Sequence, residues 1–445
     1  MKNNIPQGYK ATPLGIIPQE WEIKKLEEVG KLFSGLTYSP SDVQADGILV
    51  LRSSNIQKGQ LVFEDNVFVN TPSYTPVKEN DILICVRNGS RNLIGKTAMI
   101  TKEVEGCAFG AFMSIFRSPI NKYIFYLFGT ELYRKYIYRN LGATINSING
   151  NDLKRFRFPF PQIVEQQKIV NILSTWDKAI EEQSQLIEKL ELRKKGLMQQ
   201  LLTGKRRLPE FVNSHQECEN RNKIDIRHKS LIPQGYKSTT IGIIPKEWKI
   251  MSISKAFRIQ SGYAFKSNLF TKNGGIPIIR ISNLPMNDKY IDLSNCVYYP
   301  ASINVKEQFI VHKNDFLIAM SGATTGKAAI YNYDYNALLN QRVGAFKQIS
   351  DKIFSPYLQA IMQSELFISQ LKNLLITGAQ PNISPSDIEN LFFPFPPLAE
   401  QKKIAYILTS ADHEIELAKQ KLELFRQQKH GLMQQLLTGK KRVKF

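Results

Sequence analysis

Apolar residues recur at alternating steps of four and three along two stretches of the chain. In the first they fall at Ile169, Leu173, Trp176, Ile180, Ile187, Leu190, Leu197 and Leu201, interrupted by Gln183 and Lys194. In the second they fall at Ile404, Leu408, Ala411, Ile415, Ala418, Leu422, Phe425, Leu432 and Leu436, interrupted by Lys429. A spacing of 3.5 held over about five heptads predicts the narrow seam of a coiled coil, not the wider stripe of a core helix. A Phe-Pro-Phe-Pro run precedes each stretch and resists helix, so it marks an extended entry. Thr203-Gly204 and Thr438-Gly439 close the two helices, where glycine suits a left-handed cap. Each helix of about 40 residues would be ~60 Å long. The pairing seam is read as Leu173, Trp176, Ile180, Ile187, Leu190 and Leu197 against Leu408, Ile415, Leu422, Phe425 and Leu432. Antiparallel pairing within the chain is the simplest arrangement, because tethering raises effective concentration. The alternative is that each helix zips against an unrelated chain.

Upstream of each helix the period shortens. Residues 24–157 and 251–392 carry brief β-branched and aromatic runs, such as Ile48–Leu51, Leu61–Phe63 and Ile276–Ile279, broken by Asn, Gly, Ser and Pro. These predict short strands, with Pro277 at an edge or a strand start. Helical segments follow near Tyr123–Asn140 and Ser355–Leu375. The expected class is α+β.

The chain is one unit written twice. Residues 5–23 match 232–250 at 14 of 19 positions, and Gly196–Lys205 equals Gly431–Lys440 in all ten places. The offset is 227 for the first pair and 235 for the second, so the intervening material differs by eight residues. Within it, landmarks survive: Arg52-Ser53-Ser54-Asn55 answers Arg280-Ile281-Ser282-Asn283, and Asn80-Asp81 answers Asn314-Asp315. The predicted order is a first domain at 1–157, a helix at 158–207, a polar linker at 208–231, a second domain at 232–392, and a helix with basic tail at 393–445. A pseudo-two-fold axis would relate the halves. Near-identical frames with diverged inserts suggest two versions of one task.

Charge then narrows the task. Against 39 Asp and Glu stand 59 Lys and Arg, a net charge of +20 over 445 residues. Such an excess nominates a polyanionic partner, since each phosphate contact releases condensed counterions; colloidal solubility alone is the bland alternative. No run approaches the ~18 apolar residues of a membrane span, and the start lacks the apolar core of a secretion signal, so the cytoplasm is expected. Cys85, Cys107, Cys218 and Cys296 form no C-x-x-C pair, which disfavours disulfide and zinc frameworks. His215 and Cys218 lack a second ligand pair, and no metal site is expected.

Polar residues gather where strands are expected to end. The candidate DNA contacts are Arg52, Asn55, Arg87, Asn88, Arg91, Asn92 and Lys96 in the first insert. In the second they are Arg280, Asn283, Thr324, Lys327, Asn340, Gln341 and Arg342. Arg can take guanine O6 and N7, and Asn or Gln adenine N6 and N7; a solvated turn is the plain alternative for any one of them. Gly89 to Gly95-Lys96 and Gly322 to Gly326-Lys327 place their glycines six and four apart, whereas a phosphate-binding P-loop needs five. No H-E-x-x-H, G-x-S-x-G or G-x-G-x-x-G is present. No catalytic constellation emerges.

Three blocks together carry a resemblance. GIIPxEW at 15–21 and 242–248, FPFPxxxEQxKI at 158–169 and 393–404, and GLMQQLLTGK at 196–205 and 431–440 resemble the specificity subunit of type I restriction–modification enzymes. The resemblance implies that each insert is a target-recognition domain for one half of a bipartite, asymmetric DNA site. It also implies helices that set the spacer and dock two modification subunits carrying S-adenosylmethionine, joined by restriction subunits using ATP and Mg. No cofactor is implied for this chain. The competing classes are an enzyme with its own methylating or nuclease activity, and a coiled-coil protein without sequence preference.

Overall fold

The computed structural model describes residues 5–141, 146–212, 232–285, 289–376 and 382–443. His215, Cys218, His228 and most of the expected linker lie outside them. The chain forms two compact units: Met1–Gln185 with Gln420–Phe445, and Leu186–Lys419. This division cuts across the serial order read from sequence, because the last turn of each long helix completes the core of the other half's frame. Leu436 and Leu437 pack with Ile17 and Trp21 in the first unit. Leu201 and Leu202 pack with Ile244 and Trp248 in the second.

The frame of the first unit begins with an antiparallel hairpin, Tyr9–Thr12 with Gly15–Pro18. Glu22–Lys25 then pairs antiparallel with Arg157–Phe160. The second unit repeats both, with Tyr236–Thr239 on Gly242–Pro245 and Lys249–Ser252 on Phe392–Phe395. The Phe-Pro-Phe-Pro runs are thus extended, as expected, and are also strands that close each insert on its own beginning. Phe158 and Phe393 are fully buried.

Each insert is built around a four-stranded antiparallel sheet. In the first unit the order is Thr97–Met99, Ile82–Cys85, Met113–Arg117, Lys31–Ser34. In the second it is Ala328–Ile330, Phe316–Ala319, Val343–Gln348, Phe257–Ser261. Ile82–Cys85 and Phe316–Ala319 are buried at every residue, because the sheet separates two cores and alternate side chains enter each. Ile82 and Ile84 meet the helical layer with Tyr123 and Ile124, while Leu83 and Cys85 join Leu51 and Phe109 on the other face. Phe316 and Ile318 against Leu317 and Ala319 repeat this division. A second small sheet holds a parallel pair, Ile48–Leu51 with Ala108–Phe109 or Ile276–Ile279 with Ala337–Leu339. Pro277 sits second in its strand; the parallel neighbour begins only at Ile278, so the missing N–H falls where one side is still unpaired.

The helices Ile163–Leu201 and Leu398–Leu436 are 39 residues each. Within the first unit their segments run antiparallel: the Trp176 ring stands edge-on to Phe425 at 5.6 Å, and Lys429 bonds Asp177. Within the second unit Lys194 meets Asp412 at 2.5 Å, Lys419 meets Glu191 at 2.8 Å, and Arg193 bonds Glu414. The helices pair within the chain, and none of the eleven seam residues is exposed. Gly204 and Gly439 take φ of +69° and +71°, the left-handed cap.

Candidate nucleic-acid interface

The repeated motifs converge on one node in each unit. Glu165, in the first turn of its helix, accepts from Trp21 Nε1 at 3.1 Å and from Arg442 at 2.7 and 3.0 Å. Glu400 accepts from Trp248 Nε1 at 3.2 Å and from Arg207 at 3.0 and 2.8 Å. Both carboxylates are buried. The Trp of GIIPxEW, the Glu of EQxKI and the last Arg of the GKRR or GKKR tail are therefore one fastening, which holds the frame closed beneath the insert.

Above that frame the candidate residues fall on loops at one end of the insert sheet. In the first unit these are the turn 52–56, the loop 86–96 and the turn 110–112. Asn88 Nδ2 donates to Ser53 Oγ at 2.8 Å, and Lys96 Nζ donates to the Ile56 carbonyl at 2.9 Å, tying the loop to the turn. Arg87 is exposed, with its guanidinium 5.3 Å from the centroid of the Phe112 ring. Arg91 and Asn92 are exposed on a short turn beside it. In the second unit Thr324 Oγ1 donates to the Ile281 carbonyl at 3.1 Å, and Met320 N donates to the Arg342 carbonyl at 2.9 Å. Asn340 is half-buried, while Gln341 and Arg342 are exposed.

Two expected contacts are corrected by burial. Asn55 and Asn283 are 0% and 1% exposed. Their Oδ1 atoms accept from the Arg52 and Arg280 backbone N–H at 2.9 and 3.0 Å, and their Nδ2 atoms donate to the Val62 and Asp292 carbonyls. Both amides hold their own turns together and have no edge left for a base. Arg52 is engaged by Asp65 at 2.7 Å, although its Nε and that of Arg280 are buried without a partner among the described residues. Lys327 lines a cleft of about 850 Å³ together with Asp412 and Glu416 of the helix, so it is shared between the loop and the helix pair.

The amides around the second glycine of each loop are already engaged, those of Gly95 and Lys96 by the Cys85 and Leu93 carbonyls. The backbone N–H groups of Thr325, Gly326 and Lys327 already donate to Gly322, Ala319 and Thr324. Burial pushes the thiols of Cys85, Cys107 and Cys296 up, which favours their protonated form. Among the described residues no three His, Cys, Asp or Glu assemble to hold a metal, and no helix is long and apolar enough to cross a membrane. Phe112 and Tyr263, 55% and 51% exposed on or beside these loops, do not stand out in the sequence, because both look like core residues. Their signal is position beside a polar loop, visible only once strands are registered.

Two inserts of one construction, each presenting basic and amide side chains from loops at a sheet end, define a paired recognition protein. The family described as type I restriction modification DNA specificity domain matches residues 18–192 and 245–425, and the chain belongs to it, carrying two copies. The MjaVIII specificity subunit of Methanocaldococcus jannaschii is 26% identical, over 96% of this chain and 94% of that protein. The EcoKI specificity subunit of Escherichia coli K12 is 24% identical, over 88% and 82%. In fold, the S subunit of a type I restriction–modification system from M. genitalium superposes with a TM-score of 0.54 at 16% identity, covering 98% and 97% of the two chains.

Proposed function

We propose that this chain reads a bipartite, asymmetric DNA site, one half with each insert, and assembles the enzyme that acts there. In this reading the helices set the spacer and dock two modification subunits, and through them the restriction subunits. S-adenosylmethionine belongs to the former, ATP and Mg to the latter, and this chain does no chemistry itself. It works in the cytoplasm, on double-stranded DNA.

The observation that carries the reading is the pairing of a common frame with unlike loops. The fastening at Glu165 recurs at Glu400 bond for bond, while Arg87–Lys96 and Ser321–Lys327 differ in length and chemistry. A partner surface present twice supports two copies of one partner. Ile16 and Ile243 are each 43% exposed at the same place in the repeat, and Ile163 and Leu398 are 62% and 39% exposed at the helix starts. The frames also meet the inserts at matching points, Lys25 opposite Arg157 and Ser252 opposite Phe392.

Those matching points give the test. Replacing residues 251–392 by a second copy of 24–157 should convert the bound site into two copies of the same half-site. Sequencing duplexes retained from a randomised library, with the full chain and its modification partner, reads this out. An unchanged asymmetric site would count against one insert per half-site.

A further inference from the structure

Strand register makes the two recognition loops comparable residue by residue. Cys85 lies opposite Met113, and Ala319 opposite Val343. Gly95 N donates to the Cys85 carbonyl and Gly326 N to that of Ala319, each at 2.8 Å. Gly110 N donates to Leu51 and Asn340 N to Ile279, at 3.0 and 3.1 Å. A Cβ on Gly35 would meet the Gly110 carbonyl, and one on Gly262 the Asn340 carbonyl. The turn Gly110-Ala111-Phe112 therefore occupies the position of Asn340-Gln341-Arg342. One triplet is apolar and the other hydrogen-bonding, on the same backbone.

Resting on the reading of one half-site per insert, we propose that this turn is a specificity-determining element, apolar in the first half-site and polar in the second. Phe112 packs its ring against a thymine methyl, and Arg342 takes the O6 and N7 edge of a guanine. Phe112 is a large apolar side chain 55% exposed among the described residues, and the Arg87 guanidinium 5.3 Å from its ring centroid places a cation for the adjoining phosphate or base. The thymine methyl is the apolar feature of the major groove that a Phe can meet, and a bidentate Arg on guanine is the commonest specific contact there. Arg342 is exposed, and its backbone is fixed by Met320 N and by the Val343 strand. The turn geometry is common to both, so the side chain alone changes what is read.

The first arm of the test alters only the DNA, so the chain's folding does not enter it, and the variants are compared on unmodified and modified duplexes. With the full chain and its modification partner bound to the selected duplex, each thymine of the first half-site is replaced by deoxyuridine, removing only the methyl. One position should lose binding about fourfold, the worth of one buried methyl at ~0.8 kcal/mol. Phe112→Ala should abolish that sensitivity alone. Replacing guanines of the second half-site by 7-deazaguanine should weaken binding about tenfold or more at one position, and Arg342→Ala should abolish that loss. Uniform tolerance of both replacements, or sensitivities that survive both variants, would overturn the assignment of the turn while leaving two half-sites standing. A chain that selects no bipartite sequence would overturn the half-site reading and the turn assignment together.

Discussion

Glu165 and Glu400 show what the conserved-looking words in the repeat are for. A carboxylate without solvent is tolerated only when paired and hydrogen-bonded, and each has a forked arginine and an indole N–H. Removing one partner of such a pair leaves a charge buried, at a cost of about 3–5 kcal/mol. Arg207→Met should therefore lower the stability of the full chain by that amount in urea unfolding. Glu247→Gln, which removes only the half-exposed second partner of Arg207, should cost less than about 1 kcal/mol; equal losses would contradict the assignment of the load to Glu400. Sequence shows Trp21, Glu165 and Arg442 as recurring letters but not as one node, because they lie up to 421 positions apart. It also reads Asn55 as a base contact. An amide that caps its own turn and one that reads adenine use the same atoms, and only burial separates them.

At the scale of the element, the long helices were legible because their signal is local: a step of 3.5 residues needs no partner to be seen. Among the strands, Ile48–Leu51 and Ile276–Ile279 were legible to the residue, but how they pair was not. Phe158–Phe160 reads as an extended entry to its helix, but its pairing with Glu22–Lys24 is a contact across the whole insert that periodicity cannot carry. Along the seam two kinds of contact compete to hold the helices. Leu408 is 2% exposed, whereas Lys419 and Glu191 pair with side chains about half exposed. Burial outweighs a screened surface pair, so Leu408→Ala should cost about 2–5 kcal/mol and Lys419→Ala less than about 1 kcal/mol. Thermal or urea unfolding of the full chain compares them; a larger loss for the lysine would mean that charge, not apolar contact, keeps the helices together. Tyr126 adds a third anchor: its hydroxyl donates to Asp177 at 2.7 Å, and burial followed by that bond pushes its phenol far above the ordinary range. The insert is thereby bonded to the seam's own ion pair.

For the whole molecule the decisive fact is that each unit is completed by chain from both halves. Neither the first 207 residues nor the remainder contains one finished frame, since Arg442 closes the first unit and Arg207 the second. The helices that carry these arginines across the sequence are the parts that, in the proposed function, measure the spacer. A heptad adds about 10 Å at 1.5 Å per residue, close to three base pairs at ~3.4 Å each, and it preserves the 3.5-residue step. One heptad inserted after Gln185 together with one after Lys419 keeps both sets of pairings, Trp176 with Phe425 and Lys194 with Asp412. The bound site should then keep both half-sites and lengthen its spacer by about three base pairs, read by sequencing selected duplexes. A heptad in one helix alone leaves seven residues of seam without a counterpart, and should weaken the fold without lengthening the spacer. If the paired insertion folds and selects the original spacing, the distance between half-sites is set elsewhere than in the helices.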